Sequence, residues 1–445
     1  MRSRREFLIV GAGALLSINL PADAQERTGH ALGATAVTQV FGDGVRLTAV
    51  AVEYHEPIAA GGLSPSAFTV EGRTVTDVFA STSADPADRV DAGRFVIVAL
   101  APEDEGALLA ERVQAQGGGG EGGPPAGGGP GQAGDIPTYD TVYRDAEARV
   151  GQTGTVTTLD GDAVAASDEM LATSDTLNLV VDDFRQLEFN DPETGDLLRY
   201  NLFVPKDYDA SRSYPLVLFM HDAGTTSDVT RTTLYQGLGA VIWANPQDQA
   251  ERPCFVLAPQ YAEIIADDDS RTSSMMETTI HLVEALAQEY AIDRDRLYVT
   301  GQSGGCMMSI AMDIAYPGLF AASFLVAGQW DPALVAPLAR QKLFIVVSQD
   351  DAKAWPGQSA ITEVLEQEGA SVSRAVWDTQ WSAEEFHAAF DEIDAKGSPI
   401  NYVAFREGTV IPEGESTAGG SGHRNTWRVA YTIQPVREWI FRQHR

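Results

Sequence analysis

The sequence predicts a doubly wound, mostly parallel α/β sheet over residues 184–445, preceded by a small all-β sandwich over residues 35–182. Three observations predict this fold class. The first part of the chain contains short alternating apolar runs separated by glycine, proline and aspartate. The second part alternates strand patterns with helix patterns. A strand–turn–helix pattern surrounds Ser303. The length of 445 residues is compatible with two domains.

The strands of the first domain are predicted from their composition and period. The candidate runs are residues 45–52, 73–78, 94–100, 155–159 and 177–181. They are short, turns separate them, and no long amphipathic helix interrupts them. This pattern is typical of an antiparallel sandwich.

A glycine-rich segment occupies residues 117–134, with the sequence GGGGEGGPPAGGGPGQAG. Its composition cannot pack a hydrophobic core. We interpret it as a loop insertion inside the sandwich and not as the interdomain linker, because strand patterns resume after it and the second domain begins only near Asp183. Loop-closure entropy grows slowly with length, so such an insertion is tolerated.

The N-terminus has the pattern of a twin-arginine signal peptide over residues 1–24. Arg4 and Arg5 precede an apolar run over residues 8–20, and this run is shorter than the roughly 20 residues that span a bilayer. Small residues around Ala24 fit a cleavage site. The sequence therefore predicts export to the periplasm or the extracellular space, with an uncleaved anchor as the less favoured alternative.

The charge balance excludes some partners. The formal net charge is −32 and the sequence pI is about 4.4. Such a surface repels nucleic acid and anionic membranes, so we expect no nucleic-acid partner and no membrane association after signal cleavage. The two cysteines, Cys254 and Cys306, both have apolar neighbours; whether they pair stays open.

The elements of the second domain follow in order. Predicted strands cover residues 200–204, 214–220, 254–258, 320–326, 343–347 and 400–405, with a further short strand formed by Leu297, Val299 and the residues beside them. Predicted helices cover residues 273–290, 303–314, 359–368, 382–393 and 433–441. The strand at 214–220 is almost continuously apolar, as expected when helices cover both faces of a sheet. In this architecture, reactive residues lie at the carboxyl ends of the strands.

Residues Gly301 to Gly305 (GQSGG) fit the pattern G-x-S-x-G. The strand before and the helix after favour a nucleophile elbow over a glycine-rich turn that merely contains serine. In an elbow the serine hydroxyl is exposed and the next backbone N–H, here that of Gly304, faces the group under attack. A second oxyanion donor is expected after the strand at 214–220, and we assign it to the backbone N–H of Ala223.

A serine nucleophile requires a base and an orienting acid, in the chain order serine, acid, histidine. His423 lies in a predicted glycine-rich loop after the last strand, and it is favoured over His387, which lies in a helical run. Asp350 and Asp351 both follow the strand at 343–347, so the residues alone leave the acid open between them. A metal site at this pair of carboxylates is not favoured, because no histidine or cysteine lies nearby in the sequence.

These motifs resemble secreted esterases of the α/β-hydrolase fold with an immunoglobulin-like N-terminal domain, whose relatives are similar to polyhydroxybutyrate depolymerases and feruloyl esterases. The resemblance rests on residues 218–221, 299–305, 351–357 and 422–427. It favours Asp351 over Asp350 as the acid. Two residues depart from the family pattern: Asp222 replaces the usual glycine, and Cys306 replaces a larger residue. A carboxylate at 222 is expected either to disturb the oxyanion loop or to repel anionic substrates.

The predicted function is hydrolysis of a carboxylic ester through Ser303, His423 and Asp351, with no metal or organic cofactor. A prolyl-oligopeptidase-like peptidase is the first alternative, disfavoured because the sequence has no propeller-like repeat. A binding protein on an inactive hydrolase fold is the second. The substrate, small, phenolic or polymeric, stays open, as do the oligomeric state and the role of the first domain. Trp330, Trp355 and Trp427 are candidates for the wall of a substrate cleft.

Overall fold

The structure is a computed structural model that describes residues 31–113, 131–137, 140–417 and 420–445. The predicted signal peptide, residues 1–24, lies outside the described residues, and so does most of the glycine-rich segment 117–134. Export and cleavage therefore stay predictions. Among the residues that are described, no helix is long and apolar enough to cross a bilayer.

The N-terminal domain is built from short strands. They are β1 (Ala31–Phe41), β2 (Gly44–Ala59), β3 (Phe68–Val70), β4 (Val75–Ser81), β5 (Ala92–Leu100), β6 (Ala110–Val113), β7 (Asp140–Tyr143), β8 (Arg149–Gln152), β9 (Val156–Thr157), β10 (Ala163–Val164), β11 (Met170–Ala172) and β12 (Asp175–Asn178). One sheet has the order β12-β1-β2-β5-β4 and another the order β11-β8-β3. Residues at alternate positions of β2 and β5, such as Val50 and Val98, are buried in the core that faces the second sheet.

The connection that contains the glycine-rich segment joins two paired strands. β6 and β7 are antiparallel, with Val113 opposite Asp140. The described end of the connection contacts the second domain: the Gly134 amide donates to the Ile264 carbonyl at 2.8 Å, and the Ile264 amide donates to the Asp135 carbonyl at 2.9 Å. This pair of backbone hydrogen bonds joins the two domains.

The second domain alternates strands and helices. Its strands are β13 (Arg185–Asn190), β14 (Leu197–Phe203), β15 (Tyr214–Met220), β16 (Phe255–Gln260), β17 (Ile292–Gln302), β18 (Ala322–Val326), β19 (Leu343–Ser348), β20 (Val372–Trp377) and β21 (Ile400–Phe405). Its helices are α1 (Thr232–Tyr235), α2 (Leu238–Ala244), α3 (Pro246–Glu251), α4 (Met275–Glu289), α5 (Gly304–Ala315), α6 (Ala354–Gln367), α7 (Ala383–Asp394), α8 (Ser421–Ala430) and α9 (Gln434–Phe441).

These strands form one sheet in the order β13-β14-β16-β15-β17-β18-β19-β21-β20. From β16 to β20 neighbouring strands are parallel, while β13 and β14 extend the sheet with antiparallel pairs. Every residue of β15 is buried; Phe219 packs into the core on one face of the sheet and Leu218 into the core on the other. The predicted fold class, a doubly wound and mostly parallel sheet after an all-β domain, is confirmed.

The register places the carboxyl ends of the central strands at one edge of the sheet. Met220 of β15 is opposite Gly301 of β17, and Ser348 of β19 is opposite Phe405 of β21. The residues that follow these ends therefore meet at one edge.

Several local predictions were wrong. Helix α6 begins at Ala354, five positions before its predicted start at residue 359, because the Asp351 carboxylate accepts hydrogen bonds from the Lys353 and Ala354 amides at 3.0 and 2.9 Å. His423, predicted to lie in a glycine-rich loop, lies in the first turn of α8. The edge strand β20 and the short helices α1 to α3 were not predicted.

The two domains share a continuous core. Buried side chains of both domains, such as Val45 and Trp243, belong to one cluster. At the boundary the rings of Tyr143 and Tyr235 meet edge to face with centroids 5.2 Å apart, and the Tyr235 hydroxyl is 3.1 Å from Asn178 Oδ1. Tyr235 lies on α1, directly before Gln236, which belongs to the network around the candidate site described below.

Candidate active site

Ser303 occupies a strained turn between β17 and α5. Its backbone angles are φ 53° and ψ −117°, a region that residues other than glycine rarely adopt. The turn requires its glycines: a Cβ on Gly301 would lie 2.4 Å from the Gly305 carbonyl, and a Cβ on Gly305 would lie 2.0 Å from the Met220 carbonyl oxygen. The geometry is that of the elbow predicted from G-x-S-x-G.

His423 lies between Ser303 and Asp351. Its Nε2 atom is 2.8 Å from Ser303 Oγ, and its Nδ1 atom is 2.5 Å from Asp351 Oδ2. The three side chains come from the ends of β17 and β19 and from the first turn of α8. The structure thus brings together the three residues that the sequence singled out as serine, acid and base.

The surroundings of Asp351 favour its charged form. Burial alone would raise the pKa of this carboxyl group, which is 3% exposed. The hydrogen bond and charge of His423, together with the Ala354 and Lys353 amides, outweigh burial, so the pKa of Asp351 is lowered. The carboxylate is therefore ionised near neutral pH and can orient the imidazole.

Asp350 points elsewhere. Its carboxylate accepts a hydrogen bond from the Gly408 amide at 2.9 Å, and its own amide donates to Ser348 Oγ at 3.0 Å. Asp350 still affects the site through its backbone, since a Cβ on Gly422 would lie 2.5 Å from the Asp350 carbonyl oxygen. The absence of a side chain at 422 lets the start of α8 approach the loop that carries the acid.

The amides of Gly304 and Ala223 are neighbours. A Cβ on Gly304 would lie 3.6 Å from the Ala223 nitrogen. Gly304 is the first residue of α5, where an N–H has no acceptor within the helix. Among the described residues the Ala223 amide has no hydrogen-bond acceptor either, whereas the Thr225 and Thr226 amides donate back to Asp222 and Ala223. Two amide donors with no acceptor among the described residues therefore lie side by side next to the serine.

Asp222 begins the turn that carries Ala223. Its Oδ1 atom accepts the Gly224 amide at 2.8 Å, which caps the short 3₁₀ helix Ala223–Thr225. Its Oδ2 atom accepts hydrogen bonds from Thr225 Oγ1 at 3.0 Å and from Gln302 Nε2 at 3.1 Å. The expectation that this carboxylate disturbs the loop was wrong, because it caps the turn; whether it repels anionic substrates stays a prediction.

The three candidate tryptophans differ in exposure. Trp330 and Trp427 are 7% and 8% exposed, and Trp427 packs edge-on against the His423 ring with centroids 5.0 Å apart. Trp355 is 38% exposed and lines a shallow groove together with Tyr402 and Arg374. Only Trp355 is thus free to contact a large substrate.

Two cysteines and two further histidines take no part in the contacts among Ser303, His423 and Asp351. Cys254 and Cys306 are both free and buried, and burial raises the pKa of the Cys254 thiol to about 12. His387 is exposed, with Nδ1 2.8 Å from the Ala383 carbonyl of its own helix. His281 forms a second histidine–carboxylate pair, with Nδ1 2.7 Å from Asp191 Oδ2, but its Nε2 faces Glu193 at 3.6 Å.

The sequence did not reveal the polar contacts that join the loops around the serine. Gln302 is 1% exposed and donates to Gln236 Oε1 at 2.9 Å as well as to Asp222. Lys353 is paired with Asp268, which also accepts Gln329 Nε2 at 2.7 Å. The only sequence signal was the position of Gln302 beside the serine, and pairing across loops cannot be deduced from position alone.

The fold and the site together define an enzyme of the hydrolase class, with an α/β-hydrolase domain and an immunoglobulin-like N-terminal domain. Residues 33–165 match the family model described as the esterase Ig-like N-terminal domain. A solved structure of a thermostable esterase is similar to the chain with a TM-score of 0.75 and 26% sequence identity, over 93% of this chain and 100% of that one. The resemblance predicted from the sequence is confirmed.

Other solved structures are more distant. A feruloyl esterase module from Clostridium thermocellum has a TM-score of 0.37 and 12% identity over 56% of this chain and 87% of its own. A puromycin-hydrolyzing peptidase from Mycobacterium tuberculosis has a TM-score of 0.39 and 15% identity over 68% of this chain and 46% of its own. These two likenesses are too low to bear on activity. Among curated proteins no match is found.

Among the described residues, no group of three or more histidine, cysteine, aspartate or glutamate side chains is arranged to hold a metal ion.

Proposed function

We propose that the protein hydrolyses carboxylic esters through a serine nucleophile and an acyl-enzyme intermediate. The observation that carries the proposal is the position of His423, which lies within hydrogen-bond distance of both Ser303 Oγ, at 2.8 Å, and Asp351 Oδ2, at 2.5 Å. A serine hydroxyl is a weak nucleophile near neutral pH, and a base at this distance removes its proton as the oxygen attacks.

In the first half of the reaction Ser303 Oγ attacks the ester carbonyl carbon, and its proton passes to His423 Nε2. The carbonyl oxygen becomes an oxyanion that the Gly304 and Ala223 amides bind. The ionised Asp351 accepts the hydrogen bond from Nδ1–H and stabilises the imidazolium. His423 then gives its proton to the leaving alcohol, which leaves the acyl group on Ser303.

In the second half a water molecule replaces the alcohol. His423 takes a proton from the water, whose oxygen attacks the acyl carbon, and the oxyanion forms again between the same two amides. The Ser303 oxygen leaves with the proton from His423, and the carboxylic acid is released. The chain supplies a base, an orienting acid and two amide donors for these steps.

We propose a small-molecule ester as the substrate, in line with the thermostable esterase to which the chain is similar. Esters are favoured over amides because an alkoxide is a better leaving group than an amine anion, so the ester requires less help from the site. For larger esters we propose contact with the groove beside the acid loop, where Trp355 is partly exposed.

The test measures turnover of p-nitrophenyl esters of increasing acyl length and of a peptide anilide with a matched acyl group. We expect ester turnover in the wild type and a loss of at least about 10⁴-fold in Ser303→Ala. A fluorophosphonate probe should add one label per chain in the wild type and none in the variant. Faster cleavage of the anilide than of the matched ester would overturn the choice of ester.

A matched control separates the proposed site from other hydroxyl groups. Ser309 lies on the same helix, is buried, and donates its hydroxyl to the Gly305 carbonyl at 2.8 Å. Ser309→Ala should keep ester turnover and probe labelling. Ester turnover that survives Ser303→Ala would overturn the assignment of the nucleophile.

A further inference from the structure

The two proposed oxyanion donors lie on different elements, so their spacing depends on what joins those elements. Ala223 lies on the turn after β15, and Gly304 is the first residue of α5 after β17. The strands are paired up to Met220 and Gly301. Beyond that pair, the ladder of backbone hydrogen bonds no longer fixes the distance between the turn and the elbow.

One side-chain hydrogen bond continues the connection past the end of this ladder. Gln302 Nε2 donates to Asp222 Oδ2 at 3.1 Å. Gln302 directly precedes the nucleophile and is 1% exposed, while Asp222 directly precedes the donor Ala223. The bond therefore links the residue directly before the Ala223 donor to the residue two positions before the Gly304 donor.

The same carboxylate also fixes the shape of its own turn. Oδ1 accepts the Gly224 amide at 2.8 Å, and Oδ2 accepts Thr225 Oγ1 at 3.0 Å. Gln236 supports the arrangement, because its Oε1 atom accepts a hydrogen bond from Gln302 Nε2 at 2.9 Å. Oε1 also lies 2.9 Å from Thr225 Oγ1, whose single proton is shared between Gln236 and Asp222. Within the described part of the chain three donors contact the Asp222 carboxylate, and the Ala223 amide has no acceptor there.

From this network we propose that Asp222 is a positioning residue for the oxyanion site, acting through Gln302 and the capped turn to hold the Ala223 amide beside the Gly304 amide. The proposal rests on the ester-hydrolase function proposed above and adds a residue to it. In this proposal Asp222 acts through the two amides and not through contact with the substrate. Its effect is on the transition state, since the amides bind the oxyanion more strongly than the neutral carbonyl.

The first test is Asp222→Ala, measured as kcat and KM on p-nitrophenyl butyrate. We expect kcat to fall about 10- to 100-fold, less than the loss of a complete oxyanion donor, with KM changed by less than about threefold. Binding of an aryl trifluoromethyl ketone, which forms a tetrahedral adduct with the serine, should weaken by the same factor as kcat. Asp85→Ala is the control: Asp85 caps another 3₁₀ helix, Pro86–Asp88, in the first domain, and its loss should leave kcat unchanged.

The second test exchanges the two groups with little change of volume. Gln302→Glu places two carboxylates in contact and should lower kcat more than Asp222→Asn does. The double variant Asp222→Asn with Gln302→Glu restores a donor and an acceptor in exchanged positions, and we expect it to recover most of the loss caused by Gln302→Glu. This exchange also carries the test if Asp222→Ala fails to fold, which circular dichroism would reveal.

The outcomes separate the two proposals. If Ser303→Ala abolishes ester turnover but Asp222→Ala leaves kcat unchanged, only the role of Asp222 is overturned. Losses that simply add in the double variant would also overturn it, because they would show that the two side chains act independently. Absence of ester turnover and of fluorophosphonate labelling in the folded wild type would overturn the proposed function itself.

Discussion

The ring of His221 binds the carbonyl oxygen of the residue that follows it. Nδ1 lies 2.8 Å from the Asp222 oxygen, and Nε2 accepts the backbone N–H of Tyr261 at 3.0 Å. A backbone amide can only donate, so Nε2 carries the lone pair and Nδ1 carries the proton. Because the peptide unit is planar and trans, a fixed Asp222 carbonyl also fixes the direction of the Ala223 N–H.

The first prediction concerns this peptide unit. His221→Leu removes the hydrogen bond to the Asp222 carbonyl, so the unit can rotate away from the geometry that binds an oxyanion. We expect kcat for p-nitrophenyl butyrate to fall about 10- to 100-fold with little change in KM. His281→Leu is the control, because its partner Asp191 lies in another part of the domain. A change in KM alone, with kcat unchanged, would contradict the role of His221.

His221 also predicts a pH dependence of stability. Its side chain is buried, and desolvation lowers its pKa below the ordinary value of 6.5. The unfolded chain therefore binds a proton more readily than the folded one as pH falls below 6.5, and this group's contribution to stability is lost in that direction. Melting temperatures between pH 5 and 8 should show a steeper decline on the acid side in the wild type than in a folded His221→Gln variant. Equal slopes would contradict the prediction.

Asp313 predicts a pH dependence of stability with the opposite sign to that of His221. It lies on the helix that follows the elbow, is 1% exposed, and accepts the Ser323 hydroxyl at 2.6 Å. Burial raises its pKa from 3.8 to about 7, so the folded chain keeps a proton that the unfolded chain loses. This contribution to stability is fully present below pH 3.8 and is lost as pH rises to about 7.

Asp313→Asn removes that dependence, because the amide is neutral at every pH. We expect the variant to be more stable than the wild type at pH 8, by at most about 4 kcal/mol, and to show little advantage at pH 4. Urea unfolding at the two pH values measures the difference. Glu366→Gln, at an exposed surface ion pair with Arg374, should change stability by less than about 1 kcal/mol. A variant less stable than the wild type at pH 8 would show that the carboxylate is accommodated without cost.

The choice between the two adjacent acids gives a prediction that the sequence could not make from the residues alone. Asp351→Asn removes the acceptor that orients Nδ1–H of His423, and we expect kcat to fall about 10³- to 10⁴-fold. Asp350→Asn should cost less than about tenfold, because this side chain bonds the Gly408 amide and not the histidine. Asp191→Asn changes the other histidine–carboxylate pair and should leave kcat unaltered. A larger loss in Asp350→Asn than in Asp351→Asn would reverse the assignment.

The sequence predicted most reliably what local chemistry demands. The turn around Ser303 requires glycine at 301 and 305. A Cβ at 301 would lie 2.4 Å from the Gly305 carbonyl oxygen, and a Cβ at 305 would lie 2.0 Å from the Met220 carbonyl oxygen at the end of β15. This requirement appears in the sequence as the pattern G-x-S-x-G. The apolar strand at 214–220 was equally legible, because both of its faces are covered. Chain order then placed an acid and a histidine at neighbouring strand ends.

What the sequence did not predict depends on contacts between distant residues. Helix α6 starts earlier than predicted because Asp351, the candidate catalytic acid, also accepts a hydrogen bond from the Ala354 amide. The sequence pointed to the first of these two roles of Asp351 and not to the second. The role of Asp222 depends on Gln302, 80 positions later. The contact of Gly134 with Ile264 joins two domains whose patterns give no sign of each other.

The last prediction concerns Gly422, in the first turn of α8. Alanine normally stabilises a helix relative to glycine by about 0.5–1 kcal/mol, so a simple helix argument predicts a benign change at 422. The structure predicts the opposite, because the new Cβ would lie 2.5 Å from both Cβ and the carbonyl oxygen of Asp350. To relieve that overlap, α8 must move away from the acid loop and carry His423 with it, which lengthens the hydrogen bonds to Ser303 and Asp351. We expect Gly422→Ala to lower kcat at least about tenfold, since catalysis depends steeply on this geometry, and to slow fluorophosphonate labelling in proportion.

Gly61→Ala is the control for this prediction, because no atom lies within 4 Å of a Cβ placed there, and its kcat should equal that of the wild type. Full activity in Gly422→Ala would mean that the start of α8 can shift without displacing the imidazole, and the close approach at 422 would then have no part in placing the base.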